Sequence, residues 1–278
     1  MFDLQATVSV SRGQTVTVHS IQAPKAGDYV NSHIIETANQ LVVVDAQLLL
    51  PYARFVRAYA ERLGKPIERV ILTHLHPDHF MGMEVFNDLP VFSSQFTQWA
   101  AGQFGQGMID FKRGSMGDRV ALLAEKVVLP NGVLEPGPLV IDGVEFGIRM
   151  VQNSEHAEIL QVDIPGERAV IAQDVVYNGV HLAVGDKNSQ RVRMFDGWIA
   201  AVEELQGRDV DTIFPGHGAP CGKDVLPGML DYLRFTKGLF ESGATPDDFK
   251  AQVLGRYPNL IGEELLDYSL FFLYFSPY

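Results

Sequence analysis

The sequence predicts an α/β fold, and three observations carry that prediction. Short apolar runs of strand length recur from the N-terminus to about residue 214, stretches of helical periodicity separate several of them, and chemically reactive residues follow the runs directly. With 278 residues, 46% of them hydrophobic, the chain can bury a full core.

The elements follow in order. Residues 6–10 and 14–20 alternate apolar and polar side chains around Gly13, as a hairpin does. Residues 32–37 and the run Leu41, Val42, Val43, Val44 predict a pair of strands ending at Asp45. Residues 51–63 place Phe55, Val56, Tyr59 and Leu63 at helical spacing, with Gly64 positioned to stop the helix. Val70, Ile71 and Leu72 form a short buried strand. Residues 139–141, 144–151 and 159–164 are again strand-like, punctuated by Asp142-Gly143. Residues 169–172 make a buried strand before Asp174, 198–205 a helix, and 212–214 a strand before the loop Pro215-Gly216-His217-Gly218. Beyond Cys221 the chain turns helical, at 224–242 and 246–254, and ends in an aromatic stretch, 268–275. That stretch is too apolar to lie free in water. A helix packed on the parent domain is the preferred reading, a homodimer interface the alternative. Domain organisation follows: a catalytic domain over 1–221 and a helical C-terminal segment over 222–278 packed on it.

A net charge of −12 repels phosphate backbones, and the basic stretch Arg191 to Arg193 holds only two cations. Nucleic acid is therefore not an expected partner; a small-molecule substrate is. The single cysteine, Cys221, cannot form an internal disulfide, the N-terminal residues lack a basic and apolar leader, and no apolar run reaches membrane length. The expectation is a soluble cytoplasmic protein with no membrane contact.

Chemistry concentrates in His74-Leu75-His76-Pro77-Asp78-His79, which places three imidazoles and a carboxylate in six positions directly after an apolar strand. Nitrogen and oxygen donors at this density suit zinc. Pro77 argues against a helix through the segment, so a loop is expected. His156 and His217 follow other strands; either alone reads as structural, but the cluster changes that weighing. His19, His33 and His181 read as structural or surface residues.

The H-x-H-x-D-H pattern of residues 74–79 resembles the signature of the metallo-β-lactamase superfamily, and the family's other landmarks occur in order: Asp45, Thr73, His156, Asp174 and His217 in Pro-Gly-His-Gly. The resemblance implies an αββα sandwich binding two divalent metal ions, zinc by preference, with iron or manganese as alternatives. It implies that His74, His76 and His156 hold one ion, Asp78, His79 and His217 the other, and that Asp174 bridges them. A metal-bridged hydroxide is then the nucleophile, with Asp78 orienting it and passing a proton to the leaving group. Asp45 becomes support for the histidine turn. Tyr177 stands where lactone-cleaving members carry a tyrosine that binds the substrate carbonyl; a packing residue with its hydroxyl in solvent is the competing reading. Cys221 reads as a small buried thiol.

Three departures from the family pattern bear on the site. Ser154-Glu155-His156-Ala157 lacks the glycine before the histidine and the threonine after it, Phe80 is bulky for a position beside metals, and Leu75 is not the glutamate of the diiron flavoprotein branch. The expected function is hydrolysis of a small ester, lactone or thioester, with ester and lactone ranked above thioester and β-lactam last. A mononuclear iron oxygenase resembling the persulfide dioxygenases and a metal-binding protein without turnover are the rivals. Segment 103–117, expected to help form the pocket, is not positioned by the sequence.

Overall fold

A computed structural model describes residues 5–276. Seven strands form the first sheet in chain order: β1 (Thr7–Arg12), β2 (Thr17–Gln22), β3 (Asn31–Glu36), β4 (Leu41–Val44), β5 (Ile67–Ile71), β6 (Val91–Ser93) and β7 (Gly132–Val133). β1 to β4 pair antiparallel, and β4 to β7 pair parallel. The second sheet contains β8 (Gly137–Ile141), β9 (Val144–Gln152), β10 (Glu158–Ile164), β11 (Ala169–Tyr177) and β12 (Thr212–His217), ordered β12-β11-β10-β9-β8. Only its β11–β12 pair is parallel.

Helix α1 (Leu50–Arg62) carries the chain from β4 to β5. The stretch between β5 and β7 holds α2 (Pro77–Phe80), α3 (Gln95–Ala100) and α4 (Gln106–Ser115), with a π-helical turn, Ala101–Gly105, joining the last two. Helix α5 (Phe195–Gly207) connects β11 to β12; α6 (Leu226–Glu241), α7 (Pro246–Arg256) and α8 (Glu263–Leu270) follow, and a second π-helical turn, Phe271–Phe275, extends α8. None of the described helices is long and apolar enough to cross a membrane.

Strand alternation sorts the buried residues into three cores. Leu41 and Val43 of β4 face Tyr52, Val56 and Ala60 of α1. Val42 and Val44 point the other way and meet Leu160, Val162, Ile171 and Phe214 between the sheets. Val170, Ala172 and Ile213 face outward to α5, α6, α7 and α8, burying Trp198, Leu233, Phe249, Leu266 and Leu273. A strand covered on both faces must be apolar throughout, which is why 41–44 and 169–172 read as unbroken hydrophobic runs. The layers are helix, sheet, sheet, helix, the αββα sandwich the sequence predicts.

The structure corrects several sequence expectations. Pro77 begins helix α2, with His76 as its N-cap, because the first helical position needs no amide hydrogen and tolerates proline. Strands β11 and β12 run on to Tyr177 and His217, so Asp174 and His217 lie within strands rather than in loops after them. Phe80, 2% exposed, joins the core under the first sheet, out of the metal-facing position its place in the motif suggests.

Candidate metal centre

The histidine turn hangs from the end of β5, and Asp45 at the end of β4 fixes its shape. Asp45, at a left-handed φ of 59°, accepts the Thr73 amide hydrogen on Oδ1 at 2.8 Å. Its Oδ2 accepts the Thr73 hydroxyl at 2.6 Å and His79 Nδ1–H at 2.8 Å. Because the Thr73 hydroxyl hydrogen goes to Asp45, its oxygen is free to accept from His74 Nδ1–H at 3.0 Å. His217 Nδ1–H donates to the Asp28 carbonyl at 2.8 Å. In all three rings the proton therefore sits on Nδ1, leaving the Nε2 lone pair as a donor to the centre.

These lone pairs and three carboxylates converge in two adjoining groups, each with donor atoms within 4.8 Å of one another: His74, His76, Glu155 and Asp174 in one, Asp78, His79 and His217 in the other; a third such group, Asp45 with His74 and His79, overlaps both behind the histidine turn. Asp174 reaches across both, with Oδ1 3.1 Å from His79 Nε2 and Oδ2 3.4 Å from His217 Nε2 and 3.8 Å from His74 Nε2. Asp78 Oδ2 lies 3.3 Å from His217 Nε2 and 3.7 Å from His79 Nε2. The β11 backbone makes this reach possible. Gln173 takes a left-handed φ of 47°, and the register against β12 shifts on either side of it. The irregularity breaks the two-residue alternation, so Asp174 and Tyr177, three positions apart, meet on the same side. Opposite, a Cβ at Gly216 would overlap the Asp174 carboxylate, which restricts that position to glycine.

The third protein donor of the first group is Glu155. Its Oε1 lies 3.2 Å from His76 Nδ1 and its Oε2 3.9 Å from His74 Nε2, and the residue is 2% exposed. His156, the residue expected there, is outside both donor groups. Its ring lies 4.7 Å from that of His76, and its Nδ1–H donates to the Glu158 carbonyl at 3.1 Å. In the tight β9–β10 connection, where Asn153 takes a φ of 52°, the two neighbours differ in what they face. A glutamate directly beside the motif's histidine was the available signal. Asp186 is the other acid the sequence left unmarked, with Oδ2 3.7 Å from His76 Nε2.

Proton affinities in the cluster diverge. Burial pushes the Glu155 carboxyl up to about 7, against the pull of His76. Burial also opposes ionisation of Asp78, yet His79 and His217 hold it down to about 2. For His217, burial favours the neutral ring, but Asp174 and Asp78 outweigh it and raise the group to about 10. Without a cation, the carboxylates draw protons onto the imidazoles; a metal ion would compete for the same lone pairs.

The Tyr177 hydroxyl is not in solvent, where the packing reading places it. The side chain is 3% exposed, stacks on His217 at 4.5 Å, and donates its O–H to Asp174 Oδ2 at 2.9 Å. It points at a candidate ligand instead of solvent. Cys221 pairs with Ile213, near the end of β12 opposite His217, and burial pushes its thiol up to about 12, an unreactive group.

Residues 26–94, which hold Asp45 and the histidine turn, match the family model described as Metallo-beta-lactamase superfamily. The linear primary-alkylsulfatase of Pseudomonas sp. (strain ATCC 19151) is 22% identical over 263 residues, covering 79% of this chain and 49% of its own length. The alkyl/aryl-sulfatase of Saccharomyces cerevisiae is 24% identical over 306 residues, covering 94% and 47%. The chain thus spans about half the length of the curated relatives it matches. Among solved structures, a metallo-β-lactamase from Pontibacter korlensis superposes with a TM-score of 0.59 at 19% identity, over 82% of this chain and 99% of that one. Another from Pseudomonas aeruginosa, in its mono-zinc form, gives 0.58 at 15% identity, over 82% and 95%. The two-sheet sandwich and the histidine turn agree with these matches: residues 26–94 resemble the metallo-β-lactamase superfamily model, and the chain shares the fold of the solved metallo-β-lactamases.

Proposed function

We propose that the protein is a dinuclear metal-dependent hydrolase acting on a small ester, with lactone and thioester as neighbouring substrate classes. One observation carries this reading: His74 Nε2 and Glu155 Oε2 are buried without a hydrogen-bond partner, His79 Nε2 and Asp174 Oδ1 are buried facing only each other at 3.1 Å, and all four belong to the converging donor groups. An unpaired buried polar group costs about 1–3 kcal/mol. Four together imply a species that engages all of them, and cations of the zinc class fit a set of imidazole and carboxylate donors.

His74, His76 and Glu155 would hold one ion and Asp78, His79 and His217 the other, with Asp174 shared. Such a pair supplies Lewis acidity toward the scissile carbonyl and a nucleophilic water at neutral pH. The surrounding residues perform the rest. Asp78, with a side chain 15% exposed against 2% or less for Glu155 and Asp174, is the carboxylate with access to substrate, and it accepts the attacking water's proton and returns it to the leaving group. Tyr177 holds the Asp174 carboxylate in place, and Asp186 orients His76.

Sulfate-ester hydrolysis is the second reading, favoured by the sulfatase names of two of the curated relatives. Elemental analysis of protein purified without chelator, joined to a panel of carboxylic ester, lactone, thioester, sulfate ester and β-lactam substrates, tests both. Two zinc ions per chain with ester turnover is the expected result. A single iron with oxygen consumption would replace the hydrolase by an oxygenase.

A further inference from the structure

A cavity of about 620 Å³ opens at the His156 edge of the cluster. Phe96, Trp99, Leu134, Pro136 and Met150 supply its apolar lining. Phe96 belongs to both places: its ring is 6.4 Å from the His156 ring and 5.9 Å from that of Trp99. Glu158, another lining residue, carries the carbonyl that holds His156 Nδ1. Phe96 and then His156 therefore stand between the cavity and His76 of the donor cluster. Trp99 is 54% exposed, an indole left half in water where nothing in the fold requires one. Large exposed aromatics around a concave surface mark a ligand site, and a volume of this size is that of a small-molecule pocket.

The lining also specifies charge. Glu135 and Glu158 are the ionisable groups in it, and neither lysine nor arginine is among the lining residues. An anionic tail would meet like charge there, on a chain that already carries −12.

We infer that this cavity receives the non-reacting part of the substrate, an alkyl or aryl group without negative charge, while the scissile bond lies over the donor cluster. The inference rests on the hydrolase reading and adds a substrate class to it: esters with an extended apolar arm. Phe96, Trp99 and Met150 become specificity determinants. Each methylene moved from water into the cavity favours binding by about fourfold, so an eight-carbon acyl chain should gain at least about tenfold over acetyl even if only part of it is covered.

Two readouts test this on zinc-loaded protein. The first is the ratio of kcat/KM for p-nitrophenyl octanoate to that for p-nitrophenyl acetate, in wild type and in Met150→Trp, which fills the cavity. The second is binding of the uncharged fluorophore N-phenyl-1-naphthylamine, which needs no turnover. The expected results are a wild-type ratio of about ten or more that falls to about threefold or less in the variant, with dye affinity weakened about tenfold. Should circular dichroism show Met150→Trp misfolded, Phe96→Ala and Trp99→Ala decide through dye affinity. A flat chain-length profile, or equal dye affinity in wild type and the folded variants, overturns the inference and leaves the hydrolase standing. Dye binding that the variants weaken, in a protein that turns over neither ester, sinks the carboxylic-ester reading while supporting the cavity as an apolar-ligand site.

Discussion

Replacing Glu155 by glutamine and, separately, His156 by alanine decides which of two adjacent residues completes the first donor group. Glutamine keeps the shape of the side chain and removes its charge. Glu155 is 2% exposed, so solvent cannot replace what is lost. Removing one partner from a buried charge pair costs about 3–5 kcal/mol, and taking the lower bound, metal affinity at that site should fall at least about a hundredfold, since about 1.4 kcal/mol is tenfold. The same loss appears in folding. A ligand at a hundred times its dissociation constant stabilises the native state by about 2.7 kcal/mol, which for a chain of this size is about 5–10 °C in Tm. The assay compares the zinc-induced rise in Tm with zinc retained after dialysis against a weak chelator. In Glu155→Gln the rise should shrink by most of that amount, with about one ion per chain retained. In His156→Ala both quantities should stay near wild type, because His156 stands outside the donor groups. The opposite pattern, with Glu155→Gln normal and His156→Ala depleted, would refute the assignment.

Four further outcomes are expected. Asp78→Asn should fold and lower kcat by about two orders of magnitude; unchanged turnover at normal zinc content would remove Asp78 from proton transfer. Asp174→Ala takes away the carboxylate that reaches both groups, and should leave about one ion per chain by elemental analysis and a lower Tm; full retention of two ions would show that it is not shared. Tyr177→Phe loses the hydrogen bond to Asp174 and should weaken zinc binding about 10–100-fold, with activity restored by excess zinc; a deficit that persists at saturating zinc would return Tyr177 to a substrate-contact role. His33 is buried, which pushes its ring down to about 4, so it stays neutral in the folded chain while the unfolded chain gains a proton below about 6.5. Its contribution is present above pH 6.5 and falls away toward pH 4 by up to about 1.4 kcal/mol per unit; urea titrations in chelator at pH 7.5 and pH 5 should show a shallower pH dependence for His33→Gln, and equal slopes would exclude this source.

Most of the scaffold was legible because burial on two faces forces unbroken apolar runs such as 41–44 and 169–172, and because the histidine turn compresses its donors into a few positions. The sequence was silent where one backbone dihedral decides. Whether Glu155 or His156 faces the donors depends on a connection two residues from Asn153 and its φ of 52°, and neighbours there look in different directions. That Tyr177 meets Asp174 depends on the irregularity at Gln173, which periodicity cannot display. Pro77 misled for a related reason, since proline both breaks helices and begins them. Helices α3 and α4 went unseen because Trp99, Phe104 and Phe111 lie exposed, blurring the amphipathic stripe that marks a surface helix.

The seam between the two sheets has a kinetic consequence. Asn31 on β3 donates from Nδ2 to the carbonyls of Pro215 and Gly218, His33 from the same strand reaches the Pro215 carbonyl, and Val30 forms a bridge with His217. One half of the sandwich is thereby laced to the strand end that delivers a metal-facing ring in the other. Opening the centre from this side would break several buried hydrogen bonds at once and part the inter-sheet core beside them. Traffic is directed instead to the opposite rim, where α3 and the turn Phe271–Phe275 bring Phe96 and Phe272 each within 6.4 Å of a cluster histidine ring. Ions and products of the proposed reaction would then pass a few partly exposed aromatic rings, whose rotation is far faster than separation of the sheets.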